Sequence, residues 1–367
     1  MRKRGGTSTA LPFIHTVKAL SNYLYLDKKT KEEIEKVSVS HPFRIPKFYL
    51  DLMEKDNPLC SIRKQSIPSK EELTGDGDTD PLNEKNISLT PSFFKRYQNR
   101  GVFLVSSDCA MYCRFCNRRR LIGKKWDARS YWEDTLQYLE MDREIHEVII
   151  SGGDPFMLSP DELDYILARL RSIRRIKTIR ISTRMPVVYP EGLHRDHFDA
   201  LKKSSPLWIV IHINHPREVS ADFIETVNRL RDAGGIIISQ TVLLRGVNDC
   251  PHVLARLFES LVYCGVKPYY LFQLDEVRGA GHFKVKLKKG IEIMRYLRAN
   301  VSGLAMPQYA LDITGGLGKV ALDYEYIKKR RGNKILVEGL SGKTGIYNDD
   351  AKQSSCSGCN ICEHDLL

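Results

Sequence analysis

The sequence predicts an α/β fold: a partial (β/α)6 parallel barrel with N-terminal helical and C-terminal extensions. Two observations carry that expectation. From about Arg96 onward, short apolar runs alternate with segments of helical spacing, the pattern of a parallel sheet covered by helices. The residue types that do chemistry also cluster at the C-terminal ends of those runs, where parallel β/α folds place their sites.

The elements follow in order. Residues 1–95 read as an N-terminal helical accessory region, with helical spacing over Leu11–Leu26 and Lys29–Val37. Pro58–Asn86, rich in Pro, Asp, Gly and Lys, reads as a long connection. Residues 96–300 carry the barrel. Its strands are Val102–Ser106, Val148–Ser151, Lys177–Ser182, Trp208–Ile213, Ile236–Leu243 and Tyr269–Gln273. Helices are expected between them, including Pro160–Ser172, Ala221–Ala233, Val253–Tyr263 and Gly290–Leu297. Residues 301–367 break the alternation and form a C-terminal segment with a glycine-flanked lysine, Lys319, and a cysteine-rich tail.

Composition narrows the function classes. The chain has 367 residues, 42% hydrophobic and 28% charged, as in an ordinary soluble globular protein. No apolar run approaches the ~20 residues needed to span a bilayer. The start, Met-Arg-Lys-Arg-Gly-Gly, leads into no sustained apolar stretch, so no signal peptide is expected. The nine cysteines fall mostly in two close triplets, which points to metal binding in a reducing cytosol rather than to disulfides. The net charge of +12 is largely local, as in Arg118-Arg119-Arg120 and Lys328–Arg331, and no nucleic-acid-binding motif accompanies it. Solvated faces and anionic small ligands account for it, and neither a nucleic acid nor a membrane is expected as a partner.

The chemistry starts at Cys109-Ala-Met-Tyr-Cys113-Arg-Phe-Cys116, a C-x3-C-x2-C loop directly after the first strand. Three close thiolates suit one [4Fe–4S] cluster with its fourth iron left open to a small molecule. A zinc site would usually supply four ligands, and three buried free thiols are the plainest alternative. The loop resembles the signature of the radical S-adenosylmethionine (SAM) enzymes. After the second strand comes Ser151-Gly152-Gly153-Asp154-Pro155, whose glycines would let a ligand lie against the backbone. By itself it is a simple β–α turn; beside the cysteine loop it resembles the radical SAM motif that holds the amino group of SAM.

The whole arrangement resembles the lysine 2,3-aminomutases from roughly residue 80 to 319, and again in the tail. The resemblance is carried by Arg96-Tyr97-Gln-Asn-Arg100, the cysteine loop continuing to Asn117-Arg118-Arg-Arg, Ser151-Gly-Gly-Asp154, His212-Ile-Asn-His215-Pro, the run from Gln240 to Cys250-Pro, Pro268-Tyr-Tyr, Asp275, Gly281-His282-Phe283, and Asp312 seven residues before Lys319. It implies a radical SAM type of barrel. It also implies three cofactors: a [4Fe–4S] cluster on Cys109, Cys113 and Cys116, SAM, and pyridoxal 5′-phosphate (PLP).

By the same resemblance Lys319 is the PLP lysine and a catalytic residue; an ordinary surface lysine is the plain alternative. The family usually shows four glycines before this lysine, whereas here Gly-Gly-Leu-Gly follows Thr314, with Leu317 as the departure. Arg96, Tyr97 and Arg100 match contacts to the PLP phosphate, or else form a basic end before the first strand. Asp275 and Asp312 match the carboxylates that hold the substrate's ε-ammonium, and Arg118 the residue that binds its α-carboxylate; either aspartate alone could be a cap or turn residue. Gly152, Gly153 and Asp154, with Ser182, His212 and Gln240, match SAM contacts, the last three set against ordinary core polar residues.

The tail Cys356-x2-Cys359-x2-Cys362, with Cys250, matches a zinc site completed between subunits, which implies a homo-oligomer with exchanged tails. The tail spacing differs from the C-x-C-x2-C associated with the family, so a second cluster stays open. Cys60 and Cys264 read as incidental buried thiols.

The expected activity is the interconversion of L-lysine and L-β-lysine by 2,3-amino migration, fed by an electron donor such as a flavodoxin or ferredoxin. Within the family the alternatives are an aminomutase acting on arginine, or on lysine for elongation factor P modification, whose enzymes lack the tail cysteines. Outside it, the alternative is a non-enzymatic Fe–S sensor or nucleic-acid-binding protein, which would neither hold PLP nor cleave SAM.

Overall fold

A computed structural model describes residues 12–123 and 126–350. The chain forms two compact units, Met1–Leu322 and Asp323–Leu367. Its strands in chain order are β1 (Phe13–Ile14), β2 (Ile45–Pro46), β3 (Ser88–Thr90), β4 (Phe93–Tyr97), β5 (Arg100–Ser106), β6 (Glu147–Gly152), β7 (Thr178–Thr183), β8 (Leu207–His212), β9 (Gly235–Leu243), β10 (Lys267–Gln273), β11 (Gln308–Ile313), β12 (Gly318–Ala321), β13 (Ile327–Arg331), β14 (Lys334–Glu338) and β15 (Thr344–Asn348).

The first unit is built on a ten-stranded sheet in the order β12-β11-β10-β9-β8-β7-β6-β5-β4-β3. β5 to β11 run parallel. β4 and β3 continue one edge antiparallel, and β12 the other. The six expected strands are all present, and β11 adds a further parallel strand inside the segment expected to break the alternation. Its run Gln-Tyr-Ala-Leu-Asp-Ile buries only Tyr309 and Ala310, too little apolar sequence to announce a strand.

Along the parallel strands the side chains alternate between two faces. On β7, Ile179 and Ile181 are fully buried, while Arg180 and Ser182 line an internal cavity. β8 repeats this, with Ile209 and Ile211 in the core and Trp208, Val210 and His212 on the cavity face. Helices supply the apolar cover. Pro160–Ser172 starts with a Ser159/Glu162 capping box and buries Leu163, Ile166, Leu167 and Leu170.

The sheet curls. β12 lies at one edge and β4 next to the other, yet the backbone N–H of Lys319 donates to Tyr97 Oη at 3.1 Å. Gly315 N likewise donates to Pro81 O at 2.9 Å. The two ends meet through these bonds and not through strand pairing, as a partial barrel requires.

Two N-terminal expectations change. Of the helix expected over Leu11–Leu26, Val17–Leu20 is helical, because Phe13 and Ile14 pair instead with Pro46 and Ile45. The stretch Pro58–Asn86 is not a loose connection: it holds the helix Ser61–Lys64 and buries Arg63, Gln65, Ser66, Glu72 and Glu84. Its polar composition reflects buried ion pairs as well as solvent exposure.

The second unit contains an antiparallel three-stranded sheet, β13-β14-β15, with β13 exposed along its whole length. Among the described residues no helix is long and apolar enough to cross a membrane.

Candidate active site

One cavity of about 1060 Å3 opens on the inner face of the sheet. It is lined by Arg96, Tyr97, Arg100, Cys109, Cys113, Cys116, Arg118, Gly152, Gly153, Asp154, Ser182, His212, Gln240, Asp275, Asp312 and Lys319. Every residue put forward for the cluster, SAM, PLP or the substrate therefore lines the same space.

The cysteine loop leaves the end of β5 and is clamped to the glycine turn after β6. Gly153 N donates to Ser106 O at 2.6 Å and Asp154 N to Asp108 O at 2.7 Å. A Cβ on Gly152, whose φ is +118°, would stand 2.3 Å from Ser106 O; one on Gly153 would stand 2.1 Å from Asp108 O. The sequence suggests that these glycines make room for a ligand, but what lies against them is the backbone that leads into the cysteines. Asp154 is also engaged internally: its carboxylate accepts from Phe156 N, Thr183 Oγ1, Arg184 N and Met185 N, at 2.7–3.1 Å. It ties the β6 turn to the end of β7.

The N-terminal region grips the same loop. Tyr112 N donates to Arg44 O and Arg114 N to Gln65 O, both at 3.0 Å. Arg44 pairs with Asp108 at 2.6 Å, and buried Arg114 makes a two-pronged pair with Glu72 at 2.9 and 2.6 Å. Burial pushes the Cys116 thiol up to about 11 and the Cys109 thiol well above its ordinary value, so metal binding would have to take those protons. Among the described residues no three His, Cys, Asp or Glu side chains are grouped to hold a single ion. Cys109, Cys113 and Cys116 line the same cavity, and thiolates are the ligands that iron–sulfur clusters take, so the donor chemistry fits one.

At the other end of the sheet, Lys319 and Asp312 stand directly opposite on paired strands. Lys319 Nζ lies 3.1 Å from Asp312 Oδ2 and 3.8 Å above the Phe272 ring, with Tyr270 at 4.7 Å. Burial lowers the lysine's pKa and Asp312 raises it, leaving it below the usual lysine value. Asp275 accepts from Asn117 Nδ2 at 2.7 Å. Burial, with the Asp312 charge adding to it, pushes Asp275 up to about 6. Leu317 keeps a negative φ and is 78% exposed, so the turn before Lys319 has no need of a fourth glycine there.

Arg118 is fixed from behind. It pairs with Glu84 at 2.8 Å and donates to Ser151 Oγ at 3.0 Å. Burial opposes ionisation of Glu84, but Arg118 and Arg120 outweigh it and hold its carboxyl below the usual range. Arg96 is held by Leu82 O, and Arg100 stacks 3.9 Å over the Tyr97 ring. Arg96 Nε is buried with no hydrogen-bond partner, as is Nε of Arg180 on the same cavity wall. Unsatisfied buried guanidinium donors suit a phosphate.

His212 and Gln240 are register partners on β8 and β9, and Ser182 sits on β7 opposite Val210. Burial, with the Arg184 charge beside it, takes His212 down to about 3; the ring is neutral, and Asn214 Oδ1 lies 3.1 Å from its Nε2.

Of the zinc candidates, Cys250 is exposed at the start of the helix Pro251–Tyr263. Cys356, Cys359 and Cys362 lie outside the described residues. Cys60 is buried as expected, whereas Cys264 is half-buried.

Several residues here escaped the sequence reading: Glu84, Asn117, Arg180 and Arg184. Arg184 carried the one usable signal, since it directly follows a strand's C-terminal end. The others act through partners far away in sequence, which no local pattern reveals.

A parallel strand that runs into three loop cysteines, with a glycine turn packed beside it, defines a radical SAM enzyme, and the model of the radical SAM superfamily matches residues 103–258. Proteins of that superfamily use a [4Fe–4S] cluster and SAM. The chain is 42% identical over 341 residues to a protein of Aquifex aeolicus provisionally named an L-lysine 2,3-aminomutase, covering 91% of this chain and 92% of that one. It is 35% identical over 353 residues to the L-lysine 2,3-aminomutase of Clostridium subterminale, covering 95% and 85%. The glutamate 2,3-aminomutase of Clostridioides difficile is 34% identical over 340 residues, covering 92% and 81%. The chain belongs to the lysine 2,3-aminomutase family.

Proposed function

We propose that this protein interconverts L-lysine and L-β-lysine, using the cluster, SAM and PLP. The observation that carries the reading is the pairing at the far end of the cavity. Lys319 meets Asp312, and the Asp275 charge falls on both. Two carboxylates there favour a substrate whose side chain ends in a cation. A substrate ending in a carboxylate would be repelled inside a closed site, a strong basis for discrimination.

When bound, the cofactors supply hydrogen-atom abstraction and delocalisation of the unpaired electron. The chain's residues do the rest. Lys319, whose pKa burial lowers, has easier access to the neutral amine that attachment to PLP needs, and Asp312 Oδ2 holds its Nζ in place at 3.1 Å. Arg96, Tyr97 and Arg100 would hold the phosphate. Arg118, braced by Glu84 and Ser151, would pair with the α-carboxylate. Asn117 fixes the Asp275 carboxylate, which would hold the ε-ammonium. Gln240, neutral His212 and Ser182 offer hydrogen bonds for SAM. The rings of Phe115, Tyr270 and Phe272 give the cavity an apolar part of its wall.

The reading extends to a cytosolic homo-oligomer served by a flavodoxin or ferredoxin, with zinc held by Cys250 and the three tail cysteines. The support is the cysteine pattern of the sequence, which falls mostly in two close triplets. Equilibrium binding of lysine, arginine and glutamate to the PLP-loaded protein tests the specificity. Lysine should bind tightest and glutamate not measurably; glutamate binding as well as lysine would refute the role given to the two aspartates.

A further inference from the structure

Arg184 follows β7 and has no part in the reaction described above. Its Nη1 donates to Cys113 Sγ at 2.8 Å. Its Nη2 is held on the opposite side by Gln65 Oε1 at 2.6 Å and Glu218 Oε1 at 2.8 Å, with Tyr49 Oη at 3.4 Å. Glu218 is itself saturated. Tyr49 Oη donates to its Oε1 at 2.7 Å, and Asn214 N and His215 N donate to its Oε2 at 2.7 and 2.9 Å. The backbone N–H of Arg184 is fixed by Asp154 at 2.7 Å, and the Phe115 ring covers the guanidinium at 5.2 Å. Arg184 is 6% exposed, and Gln65 and Glu218 are fully buried.

Burying a guanidinium and its carboxylate partner in this way carries a desolvation penalty that an apolar pair of similar volume would avoid. The arrangement is therefore expensive unless the position of the guanidinium matters. Its aim at one sulfur of the cysteine loop says what it is positioned for. Hydrogen bonds to ligand sulfurs are a main determinant of iron–sulfur potentials, because they stabilise the state carrying one more electron.

We propose that Arg184 is a positioning residue that raises the reduction potential of the iron–sulfur cluster by donating to the Cys113 sulfur, and that Tyr49 and Gln65 of the N-terminal region hold it there. This rests on Cys113 being a cluster ligand. It gives residues 1–95 a role beyond supporting the barrel: they set the electron-accepting step.

The test is a redox titration of the reconstituted holoenzyme, followed by electron paramagnetic resonance, on two variants. Arg184→Lys keeps a charge beside Glu218 but cannot fork between it and Cys113. The double variant Arg184→Met with Glu218→Gln leaves no unpaired buried charge. At a fixed applied potential the ratio of reduced to oxidised cluster should fall about tenfold in the double variant, equivalent to about 59 mV for one electron, and less in Arg184→Lys. Iron content and SAM affinity should not change. An unchanged potential at full iron loading would overturn the proposal. So would weakened SAM binding at unchanged potential, which would make Arg184 a SAM ligand instead. If the variants fail to load iron, the unsubstituted holoenzyme labelled with nitrogen-15 arginine decides: pulsed resonance of the reduced cluster should show a coupled guanidinium nitrogen, and its absence would overturn the proposal. If the unsubstituted protein assembled no cluster, the radical SAM assignment itself would be contradicted.

Discussion

Lys319 Nζ is 3.1 Å from Asp312 Oδ2, and the two residues are cross-strand partners, so a seven-residue separation in sequence becomes a face-to-face pair once the turn closes. That spacing was legible in the sequence; the aromatic floor of Tyr270 and Phe272 under the amine was not, since rings on a strand read as core. Replacing Lys319 by Ala should abolish borohydride-stable PLP labelling of the protein, measured by mass of the labelled peptide; label on another lysine would overturn the assignment. Asp275 carries a pH prediction. Its carboxyl, raised to about 6 chiefly by burial, ionises only above that pH, and only the ionised form attracts an ammonium. Lysine affinity should therefore be full above pH 6 and weaken as pH falls through it, approaching about tenfold per unit. Asp275→Asn should bind lysine weakly at every pH, without this dependence. A wild-type affinity flat between pH 5 and 7 would remove Asp275 from the substrate contacts. Asn117, which fixes that carboxylate, stands in the quoted cysteine-loop motif, but its role was not legible because its partner is 158 residues away.

At the scale of elements, strands and helices with strong periodicity were readable. Pro160–Ser172 matches the expected helix residue for residue, because a Ser cap, a Pro at the first helical position and an apolar stripe all agree. The failures have physical causes. The helix expected over 11–26 was lost to a pairing with β2 that no local pattern encodes. Pro58–Asn86 was read as a long connection from its Pro, Asp, Gly and Lys content, whereas Glu72 and Glu84 within it are buried against Arg114 and Arg118. The glycine turn was located correctly, and the reason for its glycines differs. Gly153→Ala would push a methyl group into Asp108 O. It should cost about 2 kcal/mol or more and lower iron loading, read by thermal unfolding and iron analysis. A variant with normal stability and full iron would show that the loop can move away, and that the glycines do serve a ligand.

Over the whole molecule, the curl of the sheet brings the two ends of the sequence reading together. The phosphate candidates Arg96, Tyr97 and Arg100 lie near one edge and Lys319 at the other, and the Lys319 N–H to Tyr97 Oη bond spans the seam. The parallel alternation predicted the sheet, and the family resemblance predicted its curl; neither predicted that the N-terminal region would reach Cys113 through Arg184. Tyr97→Phe would leave that half-buried N–H without its acceptor, at a cost of about 1 kcal/mol. It should weaken PLP retention on dialysis more than it lowers iron content; equal PLP retention would mean that the seam does not help to hold the cofactor.

The central claim is the reaction itself. Purified protein reconstituted with iron, sulfide and PLP should be incubated anaerobically with SAM, dithionite and L-lysine, and the amino acids resolved by mass-detected chromatography. The account predicts L-β-lysine formed over many turnovers with little net loss of SAM. SAM cleavage without β-lysine, or a β-amino acid formed from glutamate or arginine in preference to lysine, would contradict it.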